Sequence, residues 1–169
     1  LIEPVSIDEL VHHGFLAKLR SKWTEAALDT EGVHTRGGEY VEAELQKAVN
    51  TRDQNERTVR ETIALAGSRK SWLFFCCGVD HARDVCEVLR EEGIAADCVT
   101  GDTPKKERER IISEFKAGKL RALTNANVLT TGFDHPGVDL IAMMRPTLSP
   151  GLYVQMAGRG LRVASGKAD

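Results

Sequence analysis

The fold class is decided by residues 72–89, which read WLFFCCGVDHARDVCEVL. The first six residues are a continuous apolar run, which is typical of a strand covered on both faces. After Gly78, apolar residues recur three and four positions apart, as in an amphipathic helix that ends at Gly93. The stretch therefore predicts a buried strand followed by a helix that packs against it.

The same alternation continues toward the C-terminus. Further strands are predicted over residues 94–99, 120–124 and 138–143. A helix is predicted to begin at Thr103-Pro104, because proline suits the first helical position, and a short helix is predicted over residues 151–158. Strands that alternate with helices of this length indicate βαβ units and a parallel sheet, so the predicted fold class is α/β.

Residues 1–70 have a different pattern, which predicts a mainly helical segment. Ser6 and Glu9 have the S-x-x-E spacing of a capping box, and this motif marks a helix start. Two more helices are predicted from the spacing of apolar residues, over about 39–49 and about 53–66. We expect residues 1–70 to be a connecting or accessory segment.

Composition and charge exclude some classes of protein. The 169 residues include 23 Lys and Arg against 25 Asp and Glu, for a net charge of −2. This balance excludes a strongly basic nucleic-acid protein, although it leaves room for a small basic cleft. No apolar run approaches the ~18 residues of a membrane span, and no signal peptide is present, so we expect a cytoplasmic protein without a membrane partner. Because the chain begins at Leu1, we expect a piece of a longer protein.

No metal site is predicted. None of the four cysteines forms a C-x-x-C pair, and no downstream histidine pair completes a zinc pattern. They are interpreted as buried, reduced thiols: Cys76, Cys77, Cys86 and Cys98. The sequence also contains no G-x-x-x-x-G-K-[ST] phosphate loop, no G-x-G-x-x-G motif and no acidic pair after a strand that could hold magnesium. We therefore do not expect this chain alone to bind or hydrolyse a nucleotide well.

Residues 155–162, which read QMAGRGLR, are the most specific candidate for chemistry. Arg159 and Arg162 are three positions apart, so they lie on one helical face or project into the following loop. Guanidinium groups placed in this way can clamp a phosphoryl group and cannot lose their charge. The alternative is a solvated arginine pair on a helix surface.

Residues 123–136, which read LTNANVLTTGFDHP, are the second candidate. A strand enters a polar turn, Gly132 allows a close backbone approach, and Asp134 follows two residues later. Open α/β sheets bind their ligands at such strand C-termini. The alternative is an ordinary turn between a strand and a helix.

Together and in this order, these features resemble the second RecA-like lobe of superfamily 2 helicases. Residues 73–78 are similar to motif IV, residues 132–134 to motif V, and residues 155–162 to motif VI, of the form Q-x-x-G-R-x-x-R. The resemblance covers about residues 71–165. The sequence of residues 129–136 is most similar to that of DEAD/DEAH-type DNA helicases near RadD and the Res subunits of restriction enzymes.

The resemblance implies a RecA-like, three-layer αβα fold with a central, mostly parallel sheet over residues 71–169. Residues 1–70 would then connect this lobe to an absent first lobe of the same polypeptide. That first lobe would bind most of the ATP and its Mg²⁺. In this arrangement the chain alone is not expected to be active.

The resemblance also implies roles for individual residues. Arg159 and Arg162 would be arginine fingers that reach the γ-phosphate of ATP, with Gln155 ordering that contact. Arginine fingers stabilise charge in the transition state, typically by about 10³–10⁵ in rate. The residues expected to face the nucleotide are Gly132, Asp134 and Gly158, with the Asp134 carboxylate either accepting a hydrogen bond from the ribose or steadying an arginine.

Five turn residues would contact the sugar–phosphate backbone of one nucleic-acid strand, which positions the strand without reading its sequence. They are Gly78, Thr100, Gly101, Asn125 and Asn127. DEAD-box relatives have Thr-Asp where this chain has Ala126-Asn127, which weakens an assignment to RNA. The implied partner is therefore DNA, either single-stranded or duplex.

The resemblance predicts the second lobe of an ATP-dependent DNA helicase or translocase that acts in DNA repair. One alternative is the motor subunit of a type I or type III restriction system, which translocates duplex DNA. Another is a non-catalytic RecA-like module that only binds nucleic acid or protein. The sequence leaves strandedness, polarity and oligomeric state open.

Overall fold

The computed structural model describes residues 6–22, 24–129 and 133–167. Its helices are α1 (Ile7–His12), α2 (Glu42–Val49), α3 (Arg52–Ala66), α4 (Val79–Glu91), α5 (Lys105–Lys116) and α6 (Pro150–Gly158). Its strands are β1 (Thr35–Arg36), β2 (Glu39–Tyr40), β3 (Trp72–Cys76), β4 (Ala96–Val99), β5 (Ala122–Asn125) and β6 (Leu140–Met144).

Four of these strands form a parallel sheet in the order β4-β5-β3-β6. Strand β3 lies inside the sheet, where Trp72 pairs with Ala122 on one side and with Leu140 on the other. The predicted α/β class with a parallel sheet is confirmed. The predicted bounds of these strands differ from the observed ones by two residues at most.

Helices cover both faces of the sheet. Alternate side chains of a strand point to opposite faces, so the apolar strands contribute to a core on each side. On one face the core includes residues of α5 and α6: Leu73, Phe75, Ile111, Phe115, Leu123 and Met156. On the other face it includes residues of α3 and α4: Val59, Trp72, Phe74, Val85, Leu89 and Ala122. The predicted three-layer αβα arrangement is therefore confirmed.

The start of β3 is fixed by contacts with the neighbouring strands. The Asp139 carboxylate accepts hydrogen bonds from the N–H groups of Lys70 and Ser71, at 2.8 and 2.9 Å. The Arg121 guanidinium lies over the Trp72 ring, 4.2 Å from its centroid. The residues just before β5 and β6 are therefore both joined to the start of β3. These contacts fix the alignment of β3 with its two neighbours, and so the position of its C-terminal end.

The segment before the sheet contains the predicted helices. The capping box is present: Ser6 Oγ accepts from the Glu9 N–H at 3.1 Å, and Glu9 Oε2 accepts from the Ser6 N–H at 2.9 Å. The helix predicted from residue 39 begins later, at Glu42, because residues 39–40 pair with β1 in a short antiparallel hairpin. The division at residues 70 and 71 stays a prediction, and α3 is itself part of the layer that covers the sheet.

Helix α2 lies over the C-terminal end of β3. Leu45 and Val49 form a buried cluster with Cys77, and Leu28 and Tyr40 pack around it.

All four cysteines are free, and burial raises the pKa of Cys77 to about 12. Among the described residues, we find no helix with the length and apolar character that a bilayer crossing requires.

His81 is fully buried in the first turn of α4, beside the end of β3. Its Nδ1 accepts a hydrogen bond from the Cys77 N–H at 3.2 Å. Burial lowers the pKa of His81 to about 4, against the opposing influence of Asp84. The imidazole is therefore neutral at pH 7, and protonating it works against the folded state.

We expect the chain to lose stability as the pH falls from about 6.5 toward 4. In this range the unfolded state binds a proton at His81 and the folded state does not, so the loss reaches about 3 kcal/mol at pH 4. Urea unfolding at several pH values measures it. His81→Gln should flatten the dependence of the free energy of unfolding on pH. His12→Gln changes an exposed side chain and should leave that dependence as in the wild type. Parallel profiles for the wild type and His81→Gln would contradict the prediction.

Candidate functional site

The four parallel strands end at one edge of the sheet, and the turn residues predicted to contact nucleic acid lie at this edge. Thr100 and Gly101 follow β4, Gly78 follows β3 by two residues, and Asn127 follows β5 by two residues. Arg145 comes directly after β6. This edge is where a parallel α/β sheet presents its ligand-binding loops.

The two motif arginines lie just after α6 and contact the loop that follows β5. Arg159 Nη1 donates to the Phe133 carbonyl at 2.6 Å. Arg162 forms an ion pair with the Asp134 carboxylate. Burial, and secondarily the charge of Arg162, lowers the pKa of Arg159, but a guanidinium still remains charged at pH 7. The two sequence motifs therefore form one cationic site, with each arginine held at a defined position.

The loop that carries these arginines is also held from other directions. The Ala17 N–H donates to the Leu161 carbonyl at 2.7 Å, between the two arginines. Lys167 Nζ donates to the carbonyls of Gly160 and Arg162, at 2.5 and 2.7 Å. These bonds restrict the backbone of the loop, so the arginine side chains project from a fixed base.

The remaining residues assigned to the nucleotide have different environments. Gln155 is exposed on α6. Gly158 ends α6, and a Cβ added to it would meet no atom within 4 Å, so the space beside it is open. Gly132 lies outside the described residues. The nucleotide roles of these three residues and of Asp134 stay predictions.

The turn after β4 is held by a side chain from α5. Arg108 Nη2 donates to the carbonyls of Thr100 and Gly101, at 2.9 and 3.4 Å. The Thr100 N–H in turn donates to Thr103 Oγ1 at 2.9 Å. Thr100 is buried and Gly101 is exposed, so a ligand can reach Gly101 directly and Thr100 cannot be reached without a rearrangement.

The two asparagines after β5 differ in what they can contact. Asn125 is fully buried, and its Nδ2 donates to the Phe74 carbonyl at 2.8 Å, across to β3. Asn127 is exposed and has a φ of 59°, a left-handed conformation that asparagine tolerates. The side chain of Asn125 thus serves the sheet in this structure, while that of Asn127 faces the edge. Nucleic-acid contact by either residue stays a prediction.

Gly78 is buried beneath a side chain of α2. A Cβ added to Gly78 would lie 2.0 Å from Gln46 Oε1 and 2.7 Å from Gln46 Cδ. Gln46 Oε1 also accepts from the His81 N–H at 3.4 Å, one of the free N–H groups in the first turn of α4. An amide oxygen from the preceding segment therefore fills the place where the resemblance puts a backbone phosphate.

Sequence reasoning missed three residues at this edge, namely Glu42, Gln46 and Arg145. Arg145 could have been found, because it directly follows an apolar strand at the edge where ligands bind. Glu42 and Gln46 come from α2, and their position depends on how a distant helix packs. Nothing in their spacing indicates which surface they meet.

The comparison with known proteins gives the class of this chain. Residues 54–164 match the family described as the helicase conserved C-terminal domain, and the chain belongs to this family. It resembles the DEAD-box protein Dbp5: the structure of the Dbp5 C-terminal domain has a TM-score of 0.53 and 28% identity, over 60% of this chain and 61% of that chain. The Saccharomyces cerevisiae Dbp5 structure with RNA and ADP BeF3 has a TM-score of 0.57 and 27% identity. This match covers 64% of this chain and 29% of that chain. The predicted second RecA-like lobe of a superfamily 2 helicase is confirmed.

Two curated relatives are similar over almost the whole chain. The Saccharomyces cerevisiae protein named as the ATP-dependent helicase IRC3 is 33% identical over 172 residues, 95% of this chain and 25% of that protein. The Schizosaccharomyces pombe protein named as the mitochondrial ATP-dependent helicase irc3 is 34% identical over 171 residues, 96% of this chain and 28% of that protein. The chain thus spans about a quarter of the length of these relatives.

The contact between Gly78 and Gln46 gives a prediction about stability. Gly78→Ala forces the Gln46 side chain away and should destabilise the chain by about 1–2 kcal/mol, since the displaced amide loses its hydrogen bond. In a Gln46→Ala background the added methyl has room, so this destabilisation should vanish. Gly101→Ala is the control, because its Cβ meets no atom within 4 Å, and should change stability by about 0.5 kcal/mol at most. Urea unfolding measures all four variants, and an equal effect of Gly78→Ala in both backgrounds would refute the contact.

Proposed function

We propose that this chain is the second lobe of an ATP-dependent DNA helicase or translocase, in which Arg159 and Arg162 act on ATP held by a first lobe. The observation that carries the proposal is the pairing of Arg159 with the Phe133 carbonyl and of Arg162 with Asp134. It joins two sequence motifs in one cationic site. The names of the two curated relatives support an ATP-dependent motor over a module that only binds.

The residues of this site suit phosphoryl oxygens. The two guanidinium groups offer cationic donors in a fixed fork, the geometry that recognises phosphate oxygens in a bidentate way. Following the resemblance, we assign Mg²⁺ and most of the ATP contacts to the first lobe. The ATP bound there would supply the phosphoryl group that reacts.

The role of each arginine follows from where charge develops. During phosphoryl transfer, negative charge spreads over the oxygens of the transferred group, and cationic donors aimed at that place lower the barrier. Arg159 is partly buried and bonded to a backbone carbonyl, so little reorganisation is needed when a phosphate arrives. Arg162 is more exposed and paired with Asp134, which would hold it until the two lobes close.

The nucleic acid would lie along the C-terminal ends of the sheet strands. Gly101 and Asn127 are exposed there, and contacts from backbone N–H groups and amide side chains position a strand without reading its bases. The arginines lie apart from these turns, beside Phe133, whose ring packs on Phe115 near the end of α5. Lobe closure on ATP would therefore have to couple two separate sites of the lobe. We propose DNA as the strand, following the Ala126-Asn127 pair.

The test uses the polypeptide that carries both lobes. Arg159→Ala should lower the kcat of nucleic-acid-stimulated ATP hydrolysis by at least about 10³, because the transition-state charge loses its donor. Arg159→Lys keeps the charge without the fork and should recover only part of the rate. Stimulation should be stronger with DNA than with RNA oligonucleotides of equal length.

Arg60→Ala is the matched control. Arg60 is an exposed arginine of α3 that pairs with Glu92 at 2.7 Å, in the helix layer that covers the other face of the sheet from α6. It should retain wild-type hydrolysis. Full activity of Arg159→Ala would disprove the finger assignment, and a wild type that binds nucleic acid without hydrolysing ATP would favour a non-catalytic module.

A further inference from the structure

Three polar side chains meet beyond the ends of neighbouring strands. Asn127 comes from the turn after β5, Arg145 from the residue after β6, and Glu42 from the first turn of α2. Strand β3 lies between β5 and β6, so Asn127 and Arg145 come from the two sides of its C-terminal end. The Glu42 carboxylate contacts both of them. None of these residues is one of the motif arginines, and Arg145 and Glu42 belong to no motif that the resemblance identifies.

One carboxylate oxygen is the focus of this cluster. Asn127 Nδ2 donates to Glu42 Oε2 at 2.8 Å, and Arg145 Nη2 lies 3.7 Å from the same oxygen. Arg145 Nη1 in turn donates to Asn127 Oδ1, which ties the two donor side chains together. The pair therefore presents an amide N–H and a guanidinium to a single anionic oxygen.

The donors are held in place, and the carboxylate is replaceable. The Arg145 side chain is only 12% exposed, whereas that of Glu42 is 50% exposed. Loss of the Glu42 contact would leave α2 attached, because Leu45 and Val49 remain buried against Cys77. An incoming anion could thus take the place of the carboxylate while the helix stays packed.

A backbone phosphate has the same chemistry as the group that now occupies the cluster. Each phosphodiester carries one negative charge on oxygens that accept hydrogen bonds from arginine and asparagine side chains. The cluster lies beside Gly78, where Gln46, one helical turn beyond Glu42 on α2, places a second oxygen on the His81 N–H. Helix α2 therefore lays two oxygen acceptors along the strand ends.

We infer that Arg145 and Asn127 form a binding site for one backbone phosphate of the nucleic-acid strand, and that the Glu42 carboxylate occupies this site until a strand displaces it. The inference rests on the proposed function, because it requires a strand at this edge. It adds a phosphate-binding residue, Arg145, and an internal competitor, Glu42.

The test measures binding of fluorescent single-stranded oligothymidine and oligouridine to the full-length protein by anisotropy, over a range of salt concentrations. Glu42→Gln should lower the Kd about threefold, because the competing charge is removed. Arg145→Ala should raise the Kd about fivefold and lower the slope of log Kd against log salt by about 0.7, as expected for the loss of one phosphate contact on a single strand.

Two further variants separate a phosphate site from a structural effect. Asn127→Gly removes the amide while keeping the left-handed backbone accessible, and it should raise the Kd about twofold. In an Arg145→Ala background, Glu42→Gln should no longer improve binding, because competitor and site are coupled. Independent effects of Glu42→Gln and Arg145→Ala would overturn the inference.

Glu92→Gln and Arg60→Ala are the matched controls, since they make the same charge changes in an ion pair at the opposite edge. If they shift the Kd as much as Glu42→Gln and Arg145→Ala do, only overall charge matters and the inference is wrong. The KM for ATP should be unchanged in Arg145→Ala, and an increase in that KM would instead place Arg145 in nucleotide binding. A wild type that binds neither oligonucleotide would disprove the proposed function, whereas normal binding by Arg145→Ala would disprove this inference alone.

Discussion

The complete burial of strand β3 is the constraint on which the rest of the structure depends. A strand with no exposed face must pair its backbone on both sides and be covered by helices above and below. Residues 72–76 meet these demands through β5 and β6 at their sides and through helix layers on both faces. The C-terminal ends of the strands therefore fall at one edge, and the turns proposed to contact nucleic acid are attached to that edge.

The αβα architecture could be predicted because its signals are local. The run at residues 72–77 and the helical spacing after Gly78 each lie within a few turns of chain, and the strand bounds differ by two residues at most. The predicted start of α2 is less accurate. Residues 39–40 fit the helical spacing of apolar residues, but they pair in the hairpin instead. Tertiary pairing decides such a boundary, and a pattern of apolar residues does not contain it.

The candidate site was only partly predictable for the same reason. Arg159 and Arg162 stand in a motif of fixed spacing, so the sequence indicates their chemistry, and the resemblance already offers Asp134 as a residue that steadies an arginine. The Phe133 carbonyl as the partner of Arg159 emerges only from the fold. Asn125 shows the opposite case. It lies in a turn-like sequence, yet its amide completes the hydrogen bonding of the sheet, which only the pairing of β5 with β3 makes necessary.

The purely parallel pairing of the sheet also has a consequence for how the chain is made. Ser71 and Asp139, which join β3 to the start of β6, are 68 residues apart in sequence. Contacts of such long separation slow folding, and during synthesis β3 must wait for both of its neighbours to leave the ribosome. Until then its aromatic and aliphatic side chains are uncovered, so the nascent chain passes through a stage that favours aggregation.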